Sequence, residues 1–439
     1  MGRPPRQSEL TNGLPYLSYA DSRLTVDGSL DLTEILERSE HPVLLYLTGR
    51  ATANLKAMRE AFEAHFSRVS IFFALKSCYV RPVVEALLAD GAGLEVMSHL
   101  ELRLAQQLGC APDRVVANGV GRSARHADEV SAGAGLVVVD NPEDLDEVSR
   151  AAAAQGTVVP IGLRVTPEVD VERFLGRGGK VGADWAGGRF LDLLDRALSA
   201  PGVEVTALHA HQLTHGDDLD RYRACLRGIA EVATEVQRLR GLRFEVIDIG
   251  GGLDTRHLLH RGGLDAPDFA RVAAEELAVI DYDFELYLEP GRYLVADAAI
   301  GLTRVTGQKP GDQSQWRISE LGSNILIPLP DIRYEPLPLT WPEPQEPWAT
   351  YHVADGTCAP SVLAREVPLP TGPSGRSLAV LNCGAYTSVF AECWAFPLPK
   401  VLVWDGAGLT TVFGEEDQAR MFESVHGYRL DLTPAPLPR

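Results

Sequence analysis

Residues 219–252 read LDRYRACLRGIAEVATEVQRLRGLRFEVIDIGGG. From Leu219 to Leu239 apolar residues return every three or four positions, which predicts a helix with one buried face. Gly241 follows where a left-handed C-cap belongs. Phe244–Ile249 is then a short apolar run closed by Gly250-Gly251-Gly252. That predicts a strand buried on both faces and ending in a turn. A long helix feeding a buried strand is one unit of an alternating α/β layout.

The same unit recurs on both sides. Strands are predicted at Ile71–Leu75, Leu94–Met97, Val115–Ala117, Leu136–Val139, Val158–Val165, Val205–Ala210 and Leu286–Leu288. Helical spacing marks Thr52–Phe66, Pro82–Ala89, Leu100–Leu108, Pro142–Ala154, Phe190–Leu198 and Phe269–Ile280. Eight alternations over about 250 residues predict a (β/α)8 barrel. A doubly wound open sheet has the same periodicity and stays open as an alternative. After residue 297 proline becomes dense and the strands shorten: Ala299–Val305, Trp316–Ser319, Ser377–Leu381, Lys400–Trp404 and Thr410–Val412. The expected division is 1–41, joining a β domain; 42–296, the barrel; and 297–439, the β domain.

The chain of 439 residues carries 41 Lys and Arg against 60 Asp and Glu, a net charge of −19. That balance excludes nucleic acid and anionic membrane as broad-surface partners. The six cysteines, at 78, 110, 225, 358, 383 and 393, form no CxxC pair, so no metal site is expected. They point to free thiols in a reducing cytoplasm. No apolar leader and no membrane-length apolar run are visible.

In a barrel, the strand C-terminal ends carry the chemistry. Lys76 ends the first predicted strand, and Glu95 lies in the second. The sixth ends in His209-Ala210-His211, the seventh in Gly250-Gly251-Gly252, the eighth in Glu289-Pro290-Gly291-Arg292. Lys76 follows Ile-Phe-Phe-Ala-Leu, where desolvation favours the neutral amine a carbonyl needs; a lysine reaching past the strand to solvent is the plainer reading. The glycines let backbone N–H groups approach a phosphate, or simply make a tight turn. Glu289 can hold a protonated ring nitrogen and Arg292 a phosphate, or the two form a structural ion pair. His211 can lie against a flat ring or be a satisfied core histidine. Alternation puts His209 on the opposite face, where it is expected to be structural. Together these groups describe a flat, phosphorylated ligand with a basic ring nitrogen that reacts with an amine: pyridoxal 5'-phosphate.

These motifs resemble the fold-type III pyridoxal-phosphate decarboxylases, the group of diaminopimelate, ornithine and arginine decarboxylases. The resemblance runs from about residue 40 to 415. It rests on Phe73-Ala74-Leu75-Lys76-Ser77, Gly93-Leu94-Glu95-Val96-Met97-Ser98 through Glu101, Ala207-Leu208-His209-Ala210-His211 and Asp248-Ile249-Gly250-Gly251-Gly252. It also rests on Glu289-Pro290-Gly291-Arg292, Gly356-Thr357-Cys358 and Gly384-Ala385-Tyr386. The resemblance implies an alanine racemase-like barrel plus a β domain, paired as a homodimer with shared sites. It implies Lys76, His211, Glu289 and Cys358 as catalytic groups, with Cys358 the acid that protonates the carbanion. Glu95, Thr214, Gly250–Gly252, Gly291, Arg292 and Tyr386 would complete the cofactor site. The alanine racemase branch has an arginine at the ring nitrogen, so Glu289 favours decarboxylation over racemisation or epimerisation. A cofactor-free regulatory homologue is a third reading, against which the retained Lys76, glycines, Glu289, Arg292 and Cys358 stand.

The departures concern substrate. In diamine-forming relatives an acid follows the cysteine; here Ala359-Pro360 does. Gly322-Ser323-Asn324 leads into Ile-Leu-Ile-Pro-Leu without the family's acid, and Ile327-Pro328 lacks the arginine of diaminopimelate decarboxylases. The Phe-Asn-Gly-Phe stretch has become Cys393-Trp394-Ala395-Phe396, and the Gly-Ser after the stacking histidine has become Leu213-Thr214. A buried distal ammonium without a counter-charge costs several kcal/mol. The expected substrate is therefore larger, and neutral or acidic at its distal end. An amino acid on a citryl-type siderophore fragment, or an aminoacyl group on a carrier protein, fits. Arg333 or Arg365 would read an acidic end, with Ala359 and Phe396 lining the site; Asp331 or Asp355 would restore a diamine reader from a shifted loop.

Overall fold

The computed structural model describes residues 4–167, 180–213, 216–311, 315–327 and 332–429. They fall into two units, Thr52–Leu294 and Met1–Ala51 with Val295–Arg439.

In the first unit eight strands run parallel: β1 (Val69–Ala74), β2 (Gly93–Val96), β3 (Val115–Ala117), β4 (Leu136–Val139), β5 (Val159–Thr166), β6 (Val203–His209), β7 (Val246–Asp248) and β8 (Glu285–Leu288). Each pairs with the next and β8 pairs with β1, so the ring closes. The open-sheet alternative is thereby excluded. The long helix spans Leu219–Arg240 and stops at Gly241, which takes φ +69° as its C-cap. Asn141 caps Pro142–Gln155 through its side chain, with Pro142 in the first turn, where its missing N–H removes no bond. The helix Ala124–Gly133 has no counterpart in the sequence reading. Its buried face is only Ala127 and Val130 among larger polar residues such as His126, too thin an apolar stripe to stand out.

The barrel interior is filled by Phe72, Val116, Leu136, Val138, Ala207 and Val246, with Tyr287 against them. The Phe72 and Tyr287 rings are 4.6 Å apart. Gly93 has no side chain because Phe72 occupies its space. Side chains alternate along a strand, so residues two positions further on form the next layer toward the C-terminal mouth. In β2, β3, β6, β7 and β8 those positions are Glu95, Asn118, His209, Asp248 and Glu289.

The second unit is mostly β. The order across its larger sheet is Ala364–Pro370, Trp348–Asp355, Gln315–Ser319, Ala299–Pro310, Val43–Leu47, Lys400–Trp404 and Leu409–Phe413. Ser377–Leu381 and Glu335–Pro338 branch from Ala299–Pro310. Leu14, Leu24 and Leu32 from the N-terminal segment pack on Val43, Leu45, Ile300, Leu302 and Leu381. The expected border at 41/42 is thus corrected to 51/52. Val43–Leu47 is buried at all five positions, and such a run reads alike in a barrel and in a covered sheet. The helix Glu415–His426 was also not anticipated.

One buried ion pair holds the barrel rim near β3 and β4. Arg122 donates to the Ala117 and Val138 carbonyls at 2.8 and 2.9 Å and pairs with Asp144, and both side chains are almost fully buried. Removing one partner strands the other charge. Arg122→Leu should lower unfolding free energy by about 3 kcal/mol in urea titrations followed by circular dichroism. A loss below about 1 kcal/mol, the range of exposed pairs, would contradict this account.

Candidate active site

The polar layer above the apolar barrel core is one connected cluster. Lys76, on the turn after β1, is paired with Glu95 of β2. Asn118, just past β3, donates its amide to Glu95 Oε1 at 3.1 Å and to Glu289 Oε1 at 2.8 Å. His209 Nε2 lies 3.3 Å from the other oxygen, Glu289 Oε2. Asp248 Oδ1 accepts the Gly250 N–H at 2.8 Å. Glu95, Glu289, His209 and Asp248 are all buried.

This corrects one expectation. His209 is not a bystander. The strand ends at His209, so its alternation is counted from Ala207, which faces the barrel interior, and His209 faces the same way. His211 sits beyond the strand, in the loop. The Lys76 side chain is a third exposed and meets a carboxylate, a partner the sequence reading did not give it. Asn118 had no sequence signal beyond its place two residues after Val116.

Three carboxyl groups crowd this mouth, and their protonation follows from their partners. Burial pushes the Glu95 carboxyl up, with Lys76 opposing. Burial and the nearby Glu289 push Asp248 well above the ordinary carboxyl range. Burial also works against ionising Glu289, but His209 and then Lys76 outweigh it, and Glu289 is held below the ordinary range. Two carboxylates this close do not both ionise. Glu289 has two side-chain donors and Asp248 a single backbone donor, so the proton rests on Asp248. Burial lowers His209 too, leaving it neutral. His209, Asp248 and Glu289 place donor atoms within 4.8 Å of one another.

His211 Nδ1 accepts the Gly251 N–H at 3.0 Å. Burial, then Arg164 and Lys76, lower its pKa to about 3, so the ring is neutral. The glycine turn is tighter than expected. A Cβ on Gly251 would collide with the Glu289 carbonyl oxygen, and Gly250, at φ +67°, lies against the His211 ring. The Gly250 and Gly251 N–H groups are already donated to Asp248 and His211. Of the triplet only the Gly252 N–H has no acceptor among the described residues. Gly291 passes closely over Ser77 and Ala74. Arg292 is mostly buried, 4.0 Å from Asp254. Ser98 caps the helix His99–Gln107 through Oγ, and Glu101 binds the Met97 N–H and the Tyr79 hydroxyl, each at 2.7 Å. Thr214 and Asp331 lie outside the described residues.

The remaining expected site residues belong to the β unit. Cys358 is exposed, on the turn after the strand Trp348–Asp355. Asp355 is wholly engaged: it accepts the N–H and hydroxyl of Ser323 and the N–H and hydroxyl of Thr357. That ties 322–324 to 355–358. The Asn324 carbonyl accepts the Glu392 N–H, and the Phe396 ring packs on Gly356. Cys358, Ala359 and Phe396 are therefore brought together. Tyr386 takes a left-handed φ of +58° and its ring is 6.3 Å from Phe390. Arg333 is exposed, its carbonyl held by Asn382.

The barrel mouth suits pyridoxal phosphate. Glu289 accepts from Asn118 at one oxygen and meets His209 at the other, and a carboxylate has further lone pairs with which to accept a ring N–H. A primary amine stands at the end of β1, a flat neutral ring at His211 is fixed by the glycine turn, and among the described residues the Gly252 N–H is not used within the turn.

Comparison with known proteins agrees. Residues 51–296 match the family model described as "Pyridoxal-dependent decarboxylase, pyridoxal binding domain". The chain is 30% identical over 389 residues to a diaminopimelate decarboxylase of Archaeoglobus fulgidus, covering 85% of this chain and 90% of that one. It is 27% identical over 420 residues to a probable chloroplastic diaminopimelate decarboxylase of Oryza sativa, covering 92% and 84%. The crystal structure of diaminopimelate decarboxylase from M. jannaschii superposes with a TM-score of 0.84 at 21% identity, covering 94% and 98%, and shows the same barrel-plus-β fold. The chain belongs to the pyridoxal-dependent decarboxylase family: it is a carboxy-lyase that acts on an amino acid with pyridoxal 5'-phosphate. Among the described residues no helix is long and apolar enough to cross a membrane.

The shared proton gives a pH test. Folded Asp248 keeps its proton at pH values where an unfolded chain has released it. Its contribution is full below the ordinary carboxyl range and is lost as pH rises. Asp248→Asn has the same shape and never ionises. Its unfolding free energy relative to the parent should climb from pH 5 to pH 7, by at most about 1.4 kcal/mol per unit. A flat or shrinking difference in urea titrations would place the proton elsewhere.

Proposed function

We propose that this decarboxylase acts on an amino acid whose distal end is not a lone ammonium. The observation that carries this is Asp355. Among the described residues it is the acid named as a possible diamine reader, and four donors from Ser323 and Thr357 occupy it. Ala359-Pro360 replaces the usual acid, and Glu392, on the third loop, is exposed, where screening makes a carboxylate a weak reader. A neutral or acidic distal end suits these loops: an amino acid on a citryl-type fragment or on a carrier protein, with Arg333 or Arg365 as readers. The second reading is diaminopimelate itself, favoured by the names of the relatives.

When bound, the cofactor supplies an electron sink for the bond to the carboxyl group. The chain's residues serve it as follows in this proposal. Lys76 provides the attaching amine, and Glu289 holds the ring nitrogen proton. His211 lies on the ring face. Gly252 and Arg292 receive the phosphate, with Thr214 and Tyr386 added by resemblance. Cys358 returns a proton to the substrate carbon after CO2 leaves. The resemblance further supports a homodimer in which Cys358 of one subunit serves the barrel of the other.

CO2 release should be measured over diaminopimelate, lysine, ornithine, acidic amino acids and citryl-conjugated amino acids. Turnover of the conjugates at least tenfold above every free diamino acid is expected. Preference for diaminopimelate, lysine or ornithine would overturn the proposal. Lys76→Ala should lose the cofactor attachment that borohydride reduction traps. Mixed with Cys358→Ala, it should regain activity that neither variant has alone; no recovery would remove the shared-site dimer.

A further inference from the structure

Glu289 does not stand alone at the barrel mouth. Asn118 Nδ2 lies 2.8 Å from one of its oxygens and His209 Nε2 3.3 Å from the other. A carboxylate held at both oxygens cannot rotate about its last bond without breaking one of them. His209 Nδ1 is buried and has no hydrogen-bond partner. A proton there would be a buried donor without an acceptor, a cost of about 1–3 kcal/mol. The imidazole therefore carries its single proton on Nε2 and donates it to Glu289. Asp248, beside His209 in the register of β6 and β7, turns one oxygen to the Gly250 N–H. The register thus stacks a donor, a carboxyl group and the glycine turn against a single carboxylate.

We propose that His209 is a positioning residue for the cofactor's ring nitrogen: by donating Nε2–H to Glu289 it keeps that carboxylate ionised and aimed, while Asn118 holds the opposite oxygen. The inference rests on the reading of Glu289 as the partner of that nitrogen. His209 touches neither substrate nor cofactor in this role; it acts through Glu289. It makes the chain discriminate ring nitrogen from ring carbon. A hydrogen bond to a charged group contributes roughly 1.5–3 kcal/mol, which corresponds to about a ten- to hundredfold preference.

The probes are pyridoxal phosphate and its 1-deaza analogue, in which a C–H replaces the ring nitrogen. Equilibrium dialysis of the full-length chain gives a dissociation constant for each. The parent should prefer pyridoxal phosphate at least tenfold. His209→Phe should cut that preference severalfold while the affinity for the deaza compound stays within about twofold. His209→Asn, polar but too short to reach, should behave the same and covers the case in which phenylalanine prevents folding. His209→Gln returns an N–H at nearly the original distance and should restore the preference. Equal weakening of both ligands would mean a structural role and overturn the proposal, as would an unchanged preference. Glu289→Gln separates the two layers of the argument. If it keeps the preference, the reading of Glu289 fails. If it loses the preference while His209→Phe keeps it, only the role of His209 fails.

Discussion

A buried carboxylate has to be stabilised where it sits, and at this barrel mouth three carboxyl groups share one small volume. Removing each from water costs several kcal/mol. The arrangement answers each differently. Glu95 has the Lys76 ammonium. Asp248 keeps its proton, and Glu289 gathers donors from Asn118 and His209. Glu289 is the carboxyl group held ionised at the mouth, the charge that in the proposed reading would balance a protonated ring nitrogen. The remaining features of the mouth follow from this. Asn118 must bridge Glu95 and Glu289, and His209 must be neutral.

The strand register makes this layer possible. Val116, Ala207, Val246 and Tyr287 lie in the barrel interior, and Asn118, His209, Asp248 and Glu289 stand two residues further along the same strands. The period of two that builds a dry apolar core thus delivers side chains directly above it, in a place water reaches poorly. A slip of one residue in any strand would turn its polar group toward the surrounding helices and an apolar residue into the mouth. Specification of the site and of the core is therefore the same event.

Much of the fold was legible because it depends on local pattern. Buried strands and amphipathic helices announce themselves by spacing, and all eight barrel strands were found within a residue or two. Val43–Leu47 was given to the wrong unit because a fully covered strand looks alike in either sheet. The helix Ala124–Gly133 was missed because its buried face includes His126 and Ser131, with little apolar surface to give a period. At the site, Lys76, Glu95, His211 and Glu289 could be read from strand ends. His209 was placed on the wrong face: residues two apart on a strand share a face, so His209 follows Ala207 into the barrel interior, while His211 lies beyond the strand end. Asn118 was invisible, since an asparagine after a strand is ordinarily a turn residue. The glycine triplet was read either as a phosphate cradle or as a tight turn, and only the folded turn reveals that two of its N–H groups are taken by Asp248 and His211.

Charge placement in the β unit bears on selectivity in the opposite sense. Around Cys358 the chain uses its nearby acid for architecture. Asp355 fastens the loop at 322–324 to the loop at 355–358, and Gly322 fits there only because it lacks a Cβ, which would otherwise strike Asp355. An acid with four donors is held below the ordinary carboxyl range and has little to offer a further cation. Freeing it to read an ammonium would release both loops and move Cys358 with them. Asp355 could therefore not be turned toward an ammonium without loosening the loops beside the cysteine. In the proposed reading, the reader of the substrate's distal group therefore stands elsewhere, because the acid near Cys358 is already engaged in holding the two loops together.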